Sequence, residues 1–341
     1  MRKIRLGLMG FGEINRHLFR LCLEDEMIEI VAISDIGRPE ILVYLLNSES
    51  KKIKSDVDVA LDGHYLVSKN GRARFITGTK PADVPWDAFD VDVVVDATGK
   101  YRSRKEMEGH IAGGAKRVIL ASLPSDELDR IVIKGVNQNH MKMSDKIISA
   151  GSSTTNATAI MLKIMDEAFG VEYAMLTTVH SYTADQPLRD TAGTDFRRSR
   201  SAAENIIPNE TPTPQWLPVI MPEFKGRIEG TALNVPIPAG SLLDLTLVMK
   251  NSNFEIKDID AAVEEAAKKW PGILEITEDP IVSVDVVGNR HSVIFDKQGT
   301  MRSKGKMVKV LIWYHNSLAM ASRIKDLIVE YQKLNEKGAS K

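Results

Sequence analysis

Residues 3–35 confine the fold more tightly than any other stretch. "KIRLGLMG" (3–10) is a strand-like run ending in glycine, residues 13–24 place Ile14, Leu18 and Leu21 on one helical face, and "IEIVAIS" (28–34) is a β-branched run ending at Asp35. The period changes from two to 3.6 and back, the signature of strand, turn, helix, strand. Gly10, Gly12 and Asn15 form a G-x-G-x-x-N pattern in the first turn, and Asp35 follows Asn15 by twenty residues. In such a unit glycines permit a tight turn and bring a pyrophosphate close to the helix N-terminus, while the acid at the second strand end accepts hydrogen bonds from a ribose. The bland alternative is a glycine turn beside an exposed aspartate. With Asp35 repelling a 2′-phosphate, the expected cofactor is NAD, although Arg38 stands three residues on and could offset that repulsion.

The same alternation continues. "PEILVYLLN" (39–47) and residues 102–114 read as helices, and "VDVVVDATG" (91–99), "RVILAS" (117–122) and "KIISA" (146–150) as strands. This predicts an α/β fold with a Rossmann-type doubly wound, mostly parallel sheet. After a helix at 153–169 the texture changes to longer alternating strands, "YAMLTTVHSY", "RIEGTALNV", "LLDLTLVMK", "PIVSVDVV", "HSVIFD" and "MVKVLIWYH", interrupted by one helix at 258–270. That pattern predicts an α+β domain with a mostly antiparallel sheet. Residues 183–217 read as a long polar connection, and a final amphipathic helix carries Ile324, Leu327, Ile328, Tyr331 and Leu334. The expected domains are 1–152 with 317–341, and 153–316.

Net charge is −1 with no long basic block, so a nucleic-acid partner is not expected. No apolar run approaches the ~20 residues of a membrane helix. "MRKIRLGLMG" opens as a strand without a secretory h-region, which points to a cytoplasmic protein. The single cysteine, Cys22, sits between Leu21 and Leu23 and reads as a packed structural thiol. It leaves no disulfide framework and no Cys-rich metal site, and no metal ligand set is assigned.

"GFGEINR", "DATG", "SSTTN", "TTVHSYT", "NIIP" and "WYHN" resemble, in order, the motifs of phosphorylating glyceraldehyde-3-phosphate dehydrogenases; "DELDRIVIKGVNQ" and "PIVSVDV" are similar to the erythrose-4-phosphate dehydrogenase branch. The resemblance covers nearly the whole chain. It implies an NAD-binding Rossmann domain that the last helix returns to, a catalytic domain, a homotetramer, and oxidation of a small aldehyde with inorganic phosphate to an acyl phosphate. By motif it places the nucleophile at Ser153, where the family has cysteine, and the base at His180. It gives Asn316 the nicotinamide carboxamide; Ser152, Thr154, Thr183, Arg198 and Thr211 the phosphate positions; and Gly10, Gly12, Ile14, Asp35, Thr98 and Gly99 the remaining cofactor contacts.

This sequence departs from the family at Glu13 and Asn234, where the family has arginine, at Pro212, where it has glycine, and at Met320, where a ring flanks the nicotinamide. Pro212 lacks a backbone N–H donor, and Asn234 lacks a bidentate phosphate fork. A thiol with a pKa near ~8.5 becomes a thiolate at a helix N-terminus beside an imidazole; a serine hydroxyl does not. Ser153 therefore admits three readings: an engineered single-atom replacement in an intact catalytic motif, natural divergence to another role, or a plain helix cap. The competing functions are a dehydrogenase of this family disarmed at its nucleophile, a catalytically silent NAD-binding relative, and a dehydrogenase for another anionic aldehyde such as erythrose 4-phosphate, which Asn234 and Pro212 suggest.

Overall fold

The computed structural model describes residues 2–52, 58–78 and 80–339. Met1 and residues 340–341, which the sequence-derived domain ranges include at their ends, lie outside the described residues, as do residues 53–57 and 79. The chain divides into two compact units, Met1–Gly151 with Met320–Lys341, and Ser152–Ala319.

The first unit runs β1 (Ile4–Met9), α1 (Glu13–Leu23), β2 (Ile28–Ser34), α2 (Pro39–Lys52), β3 (Val59–Asp62), β4 (Tyr65–Ser68), β5 (Gly71–Ile76), β6 (Val93–Asp96), α3 (Arg104–Ala112), β7 (Arg117–Leu120), β8 (Arg130–Ile131) and β9 (Ile147–Ser149). The sheet order is β3-β4-β5-β2-β1-β6-β7-β9-β8. Every pair from β5 to β8 is parallel. The order reverses between β1 and β6, so their carboxyl ends open a crevice there. The antiparallel β3–β4–β5 meander was not anticipated. Its signals are "DG" at 62–63 and "NG" at 70–71, with Gly63 at φ 57° and Gly71 at φ 141°. Its strands are too short to show a period.

The second unit holds α4 (Ser153–Phe169), β10 (Val171–Ser181), β11 (Ile207–Asn209), α5 (Thr213–Ile220), β12 (Ile228–Val235), β13 (Ser241–Met249), α6 (Ile256–Lys269), β14 (Leu274–Thr277), β15 (Val293–Arg302) and β16 (Met307–Tyr314). Its sheet, β11-β12-β10-β13-β16-β15-β14, is mixed: β10–β12 and β14–β15 are parallel and the remaining pairs antiparallel. One face, with Leu176, Leu243, Leu245, Val310 and Ile312 fully buried, packs against α4 and α6. The opposite face leaves Tyr173 and Met175 more than half exposed. Helix α7 (Asn316–Ala339) follows, and from Met320 onward it belongs to the first unit. There Tyr331 donates to the Asp145 carbonyl at 2.9 Å and Lys325 Nζ to the Leu21 carbonyl at 3.0 Å.

Two sequence expectations are corrected. The expected strand "PIVSVDVV" is a 3-10 turn at Ser283–Val286. The Asp285 carboxylate accepts the Val282 N–H at 2.7 Å, a local bond that competes with strand pairing. The connection 183–217 is not without structure, since it holds β11 and the start of α5. Pro212 precedes that helix and Pro214 falls in its first turn, where a missing N–H costs nothing.

Candidate active site and cofactor cleft

In the first unit, a cleft of about 340 Å³ lies at the carboxyl ends of β1, β2 and β6, lined by Gly10, Gly12, Asp35, Ile36, Thr98 and Tyr101 among others. That volume suits part of a dinucleotide. Gly10 has φ +78°, a left-handed conformation that favours glycine. Its α-carbon also packs onto the next turn, because a Cβ there would lie 3.0 Å from Thr98 Cγ2. Gly12 is the N-cap of α1, and a Cβ there would meet nothing within 4 Å, so a ligand can approach the backbone. Asn15 closes the turn from below: its amide donates to the Gly10 carbonyl at 2.7 Å and the Met9 carbonyl at 3.2 Å. Asp35 is held by two backbone donors, Phe11 N–H and Gly37 N–H, both at 2.6 Å. Arg38 pairs with Glu40 at 3.5 Å on the surface. Gly99 follows Thr98 with φ +67° and open space at its Cβ position, while Ile14 is the second residue of α1 and partly buried.

In the second unit, Ser152 is the N-cap of α4, with its hydroxyl accepting the Thr155 N–H at 3.1 Å, and Ser153 is the first helical residue. The cap reading therefore belongs to Ser152. Ser153 stands where helix-terminal N–H groups and the helix dipole favour negative charge. Thr154 faces inward: it is buried, and its hydroxyl pairs with Tyr314 Oη at 2.8 Å.

His180 lies one residue from the end of β10. Its Nδ1 is 2.6 Å from the Ser181 carbonyl, an acceptor, so Nδ1 carries the proton. Nε2 then holds the lone pair and accepts from Asn316 Nδ2 at 2.9 Å. The amide orientation is consistent, because Asn316 Oδ1 accepts the hydroxyls of Ser241 at 2.9 Å and Ser181 at 3.2 Å. Burial pushes the His180 pKa below its ordinary value; the Ser181 carbonyl and Asp185 oppose that shift. Among the described residues, the Nε2 partner is Asn316 rather than Ser153. Ser241 and Ser181 were missed as supports of this pair. Ser181 sits within "HSYT", but nothing local in the sequence marks Ser241.

Of the five phosphate-motif residues, Thr154 departs from the expectation by turning into the core toward Tyr314, and the other four fall into two groups. A line of hydroxyls joins Ser152 to Thr155 at 2.8 Å, Thr155 to Thr213 at 3.0 Å, and Thr211 to Thr213 at 3.3 Å. Thr183 and Arg198 both bond Asp185, whose carboxylate thus holds the guanidinium. A cavity of about 700 Å³ is lined by Arg197, Arg198, Asn209 and Thr211. Asn234 is cross-strand from His180, 5% exposed, and accepts from Asn209 Nδ2 at 3.1 Å. Asn209 and Asn234 thus form a neutral amide pair. Cys22 is buried, and burial pushes its thiol up to about 12.

Comparison with known proteins shows the family. Residues 4–104 match the NAD binding domain of glyceraldehyde 3-phosphate dehydrogenase, and residues 152–316 match its C-terminal domain. The chain is 38% identical to glyceraldehyde-3-phosphate dehydrogenase 1 of Bacillus subtilis, over 95% of this chain and 97% of that protein. It is 39% identical to glyceraldehyde-3-phosphate dehydrogenase 2 of Streptomyces avermitilis, over 96% and 98% respectively. It is 37% identical to the Borreliella burgdorferi glyceraldehyde-3-phosphate dehydrogenase, over 95% and 98%. With a glycine-turn NAD cleft in one unit and a serine-headed helix with a neutral histidine in the other, the chain belongs to the glyceraldehyde-3-phosphate dehydrogenase family of NAD-dependent oxidoreductases.

Proposed function

We propose that this chain is an NAD-dependent, phosphorylating dehydrogenase of a small anionic aldehyde such as glyceraldehyde 3-phosphate, disarmed at its acylation step by Ser153. The observation that carries this reading is the state of His180. Its Nε2 is a neutral acceptor held by an ordered amide, the form a general base needs before it takes a proton. The residue placed for attack, Ser153, lacks a thiol's acidity. With cysteine at 153, the thiolate would attack the carbonyl carbon and His180 would take the hydroxyl proton as the carbonyl re-forms. Inorganic phosphate would then cleave the thioester. Bound NAD supplies the acceptor for the hydride. Ser152, Thr183, Arg198 and Thr211 are the residues we assign to phosphate groups, with Thr154 supporting the helix start through Tyr314. Gly10, Gly12, Ile14, Asp35, Thr98 and Gly99 are assigned to the dinucleotide, and Asn316 to its carboxamide.

A second reading rests on Asn234. Neutral amides at 209 and 234 recognise a hydroxyl or a displaced anion better than a terminal phosphate, which favours another anionic aldehyde, such as erythrose 4-phosphate. We further infer a cytoplasmic homotetramer; the half-exposed Tyr173, Met175, Met301 and Met307 on strands of the second unit support burial of that surface by another copy. No described helix is long and apolar enough to cross a membrane.

The test compares the native chain with Ser153→Cys by stopped-flow detection of NADH across phosphorylated and carboxylated aldehydes. The disarmed reading expects activity only with cysteine, and expects His180→Asn to slow that variant by about 10²–10⁴-fold. Equal activity in both forms shows that the reaction bypasses residue 153. Silence in both, with NAD still bound, supports a non-enzymatic relative.

A further inference from the structure

Behind the cofactor cleft runs a line of polar side chains withdrawn from solvent. Trp86, Asp96 and His110 are each 0% exposed. The Trp86 indole N–H donates to His110 Nδ1 at 3.0 Å. An indole nitrogen only donates, so Nδ1 is the acceptor and the ring proton sits on Nε2. Nε2 donates in turn to Asp96 Oδ2 at 3.1 Å. The other carboxylate oxygen accepts the Thr98 N–H at 2.9 Å and the Thr98 hydroxyl at 2.7 Å. Thr98 lines the cleft, and the Gly10 turn is seated on it: a Cβ on Gly10 would lie 3.1 Å from Thr98 Cα.

The far end of the line is clamped. A Cβ on Gly7 of β1 would lie 2.6 Å from the Trp86 ring, and one on Gly113, after α3, would lie 3.2 Å from Trp86 Cδ1 and 2.4 Å from the Val84 carbonyl. The absence of side chains at these two positions lets the indole sit where it does, and close packing on both sides prevents it from shifting. A donor-only group at one end and an acceptor-only carboxylate at the other allow a single proton arrangement along the line.

We propose that His110 is a positioning residue for NAD: it transmits the fixed location of Trp86 to Asp96, which holds Thr98 and, through it, the Gly10 turn in the shape that receives the dinucleotide. The proposal rests on NAD binding by this unit.

Two substitutions cut the line on opposite sides. His110→Gln puts an amide nitrogen where Nε2 lies, keeping the donor to Asp96 and dropping the acceptor for Trp86. His110→Asn puts an oxygen where Nδ1 lies, keeping the acceptor for Trp86 and dropping the donor to Asp96. Each removes one buried bond, so a purely structural role expects equal losses. NAD dissociation constants by calorimetry, with melting temperatures of the cofactor-free chains, separate the two. The expected result is a constant within about threefold of native for His110→Gln and raised about tenfold or more for His110→Asn, even where both melt alike. Equal constants, or the reverse order, overturn the proposal. If either variant fails to fold, Asp96→Asn against Asp96→Asn/Trp86→Phe decides. In the single variant an amide N–H confronts the Nε2 proton; removing the indole donor lets that proton move to Nδ1, and NAD affinity should recover by about threefold or more. No recovery overturns the proposal. A native chain that binds no NAD defeats the cofactor reading and this proposal together; failure confined to the variants defeats only the proposal.

Discussion

The Asn316 amide faces His180 Nε2, and replacing it with aspartate should turn the depressed His180 pKa into a raised one. In the native site burial disfavours the imidazolium, so His180 titrates below the ordinary value near ~6.5, and the Asn316 amide donates to Nε2 at 2.9 Å. Asn316→Asp is nearly isosteric. One oxygen can keep the Ser181 and Ser241 hydroxyls, while the other faces Nε2 as an acceptor that requires a proton on the ring. Two unit charges at 2.9 Å attract by about 6 kcal/mol at an effective dielectric near 20, equivalent to roughly 4 pKa units. Partial exposure and the two competing hydroxyls reduce this, leaving a rise of about 1–3 units, the range for an opposite charge at this distance.

The assay is a proton NMR titration of the His180 ring resonance in native and Asn316→Asp chains, paired with urea unfolding across pH. In the native chain the folded pKa is depressed, so the neutral ring favours the fold; stability should fall as pH drops through the unfolded value near ~6.5 toward the lower folded one. In the variant the folded pKa is raised, so the added stability is complete below ~6.5 and is lost as pH climbs through the new folded value. A variant pKa at or below the native one would refute the assigned tautomer and amide orientation together.

Other outcomes follow from the same geometry. Asp35→Ala should weaken NAD binding in calorimetry and also lower the melting temperature, because it frees two backbone donors, each charged bond being worth about 1.5–3 kcal/mol; unchanged NAD affinity would remove Asp35 from the cofactor site. Cys22 should resist iodoacetamide at pH 8 in the folded chain, with its thiol pushed up to about 12, so that Ser153→Cys takes up one alkyl group per chain by mass spectrometry; two groups would contradict the burial of Cys22. Asn234→Arg should lower the KM for phosphorylated aldehydes by about tenfold or more in the Ser153→Cys background; no preference for the phosphorylated substrates would place their phosphate elsewhere.

The Rossmann half was legible because its evidence is local. Glycines at fixed offsets, a β-branched run ending in an acid, and an apolar strand with a buried period survive as sequence patterns whatever lies around them. Helix α4 was legible for the same reason: small hydroxyl residues precede an apolar run, and the observed start at Ser153 coincides with the expected one. Two stretches were misread where side chains rewrite backbone pairing, at Asp285 and at the prolines that begin α5. The meander at 59–76 was passed over although its turns carry strong signals, because strands of four to six residues show little alternation.

The sequence alone determined which residue types are present for the chemistry: serine at 153, histidine at 180, asparagine at 234 and an acid at 35. It could not determine their states. That His180 is neutral with its lone pair on Nε2 depends on a carbonyl one residue away and on an amide 136 residues along the chain. That Asn316 presents its nitrogen depends on hydroxyls from two different strands, and that Thr98 is held at all depends on Asp96 and, through His110, on Trp86. Most of these bonds join residues distant in sequence, and each fixes a proton only because its partner is already fixed by packing. Protonation and orientation are therefore properties of the assembled site, while identity and spacing are properties of the chain.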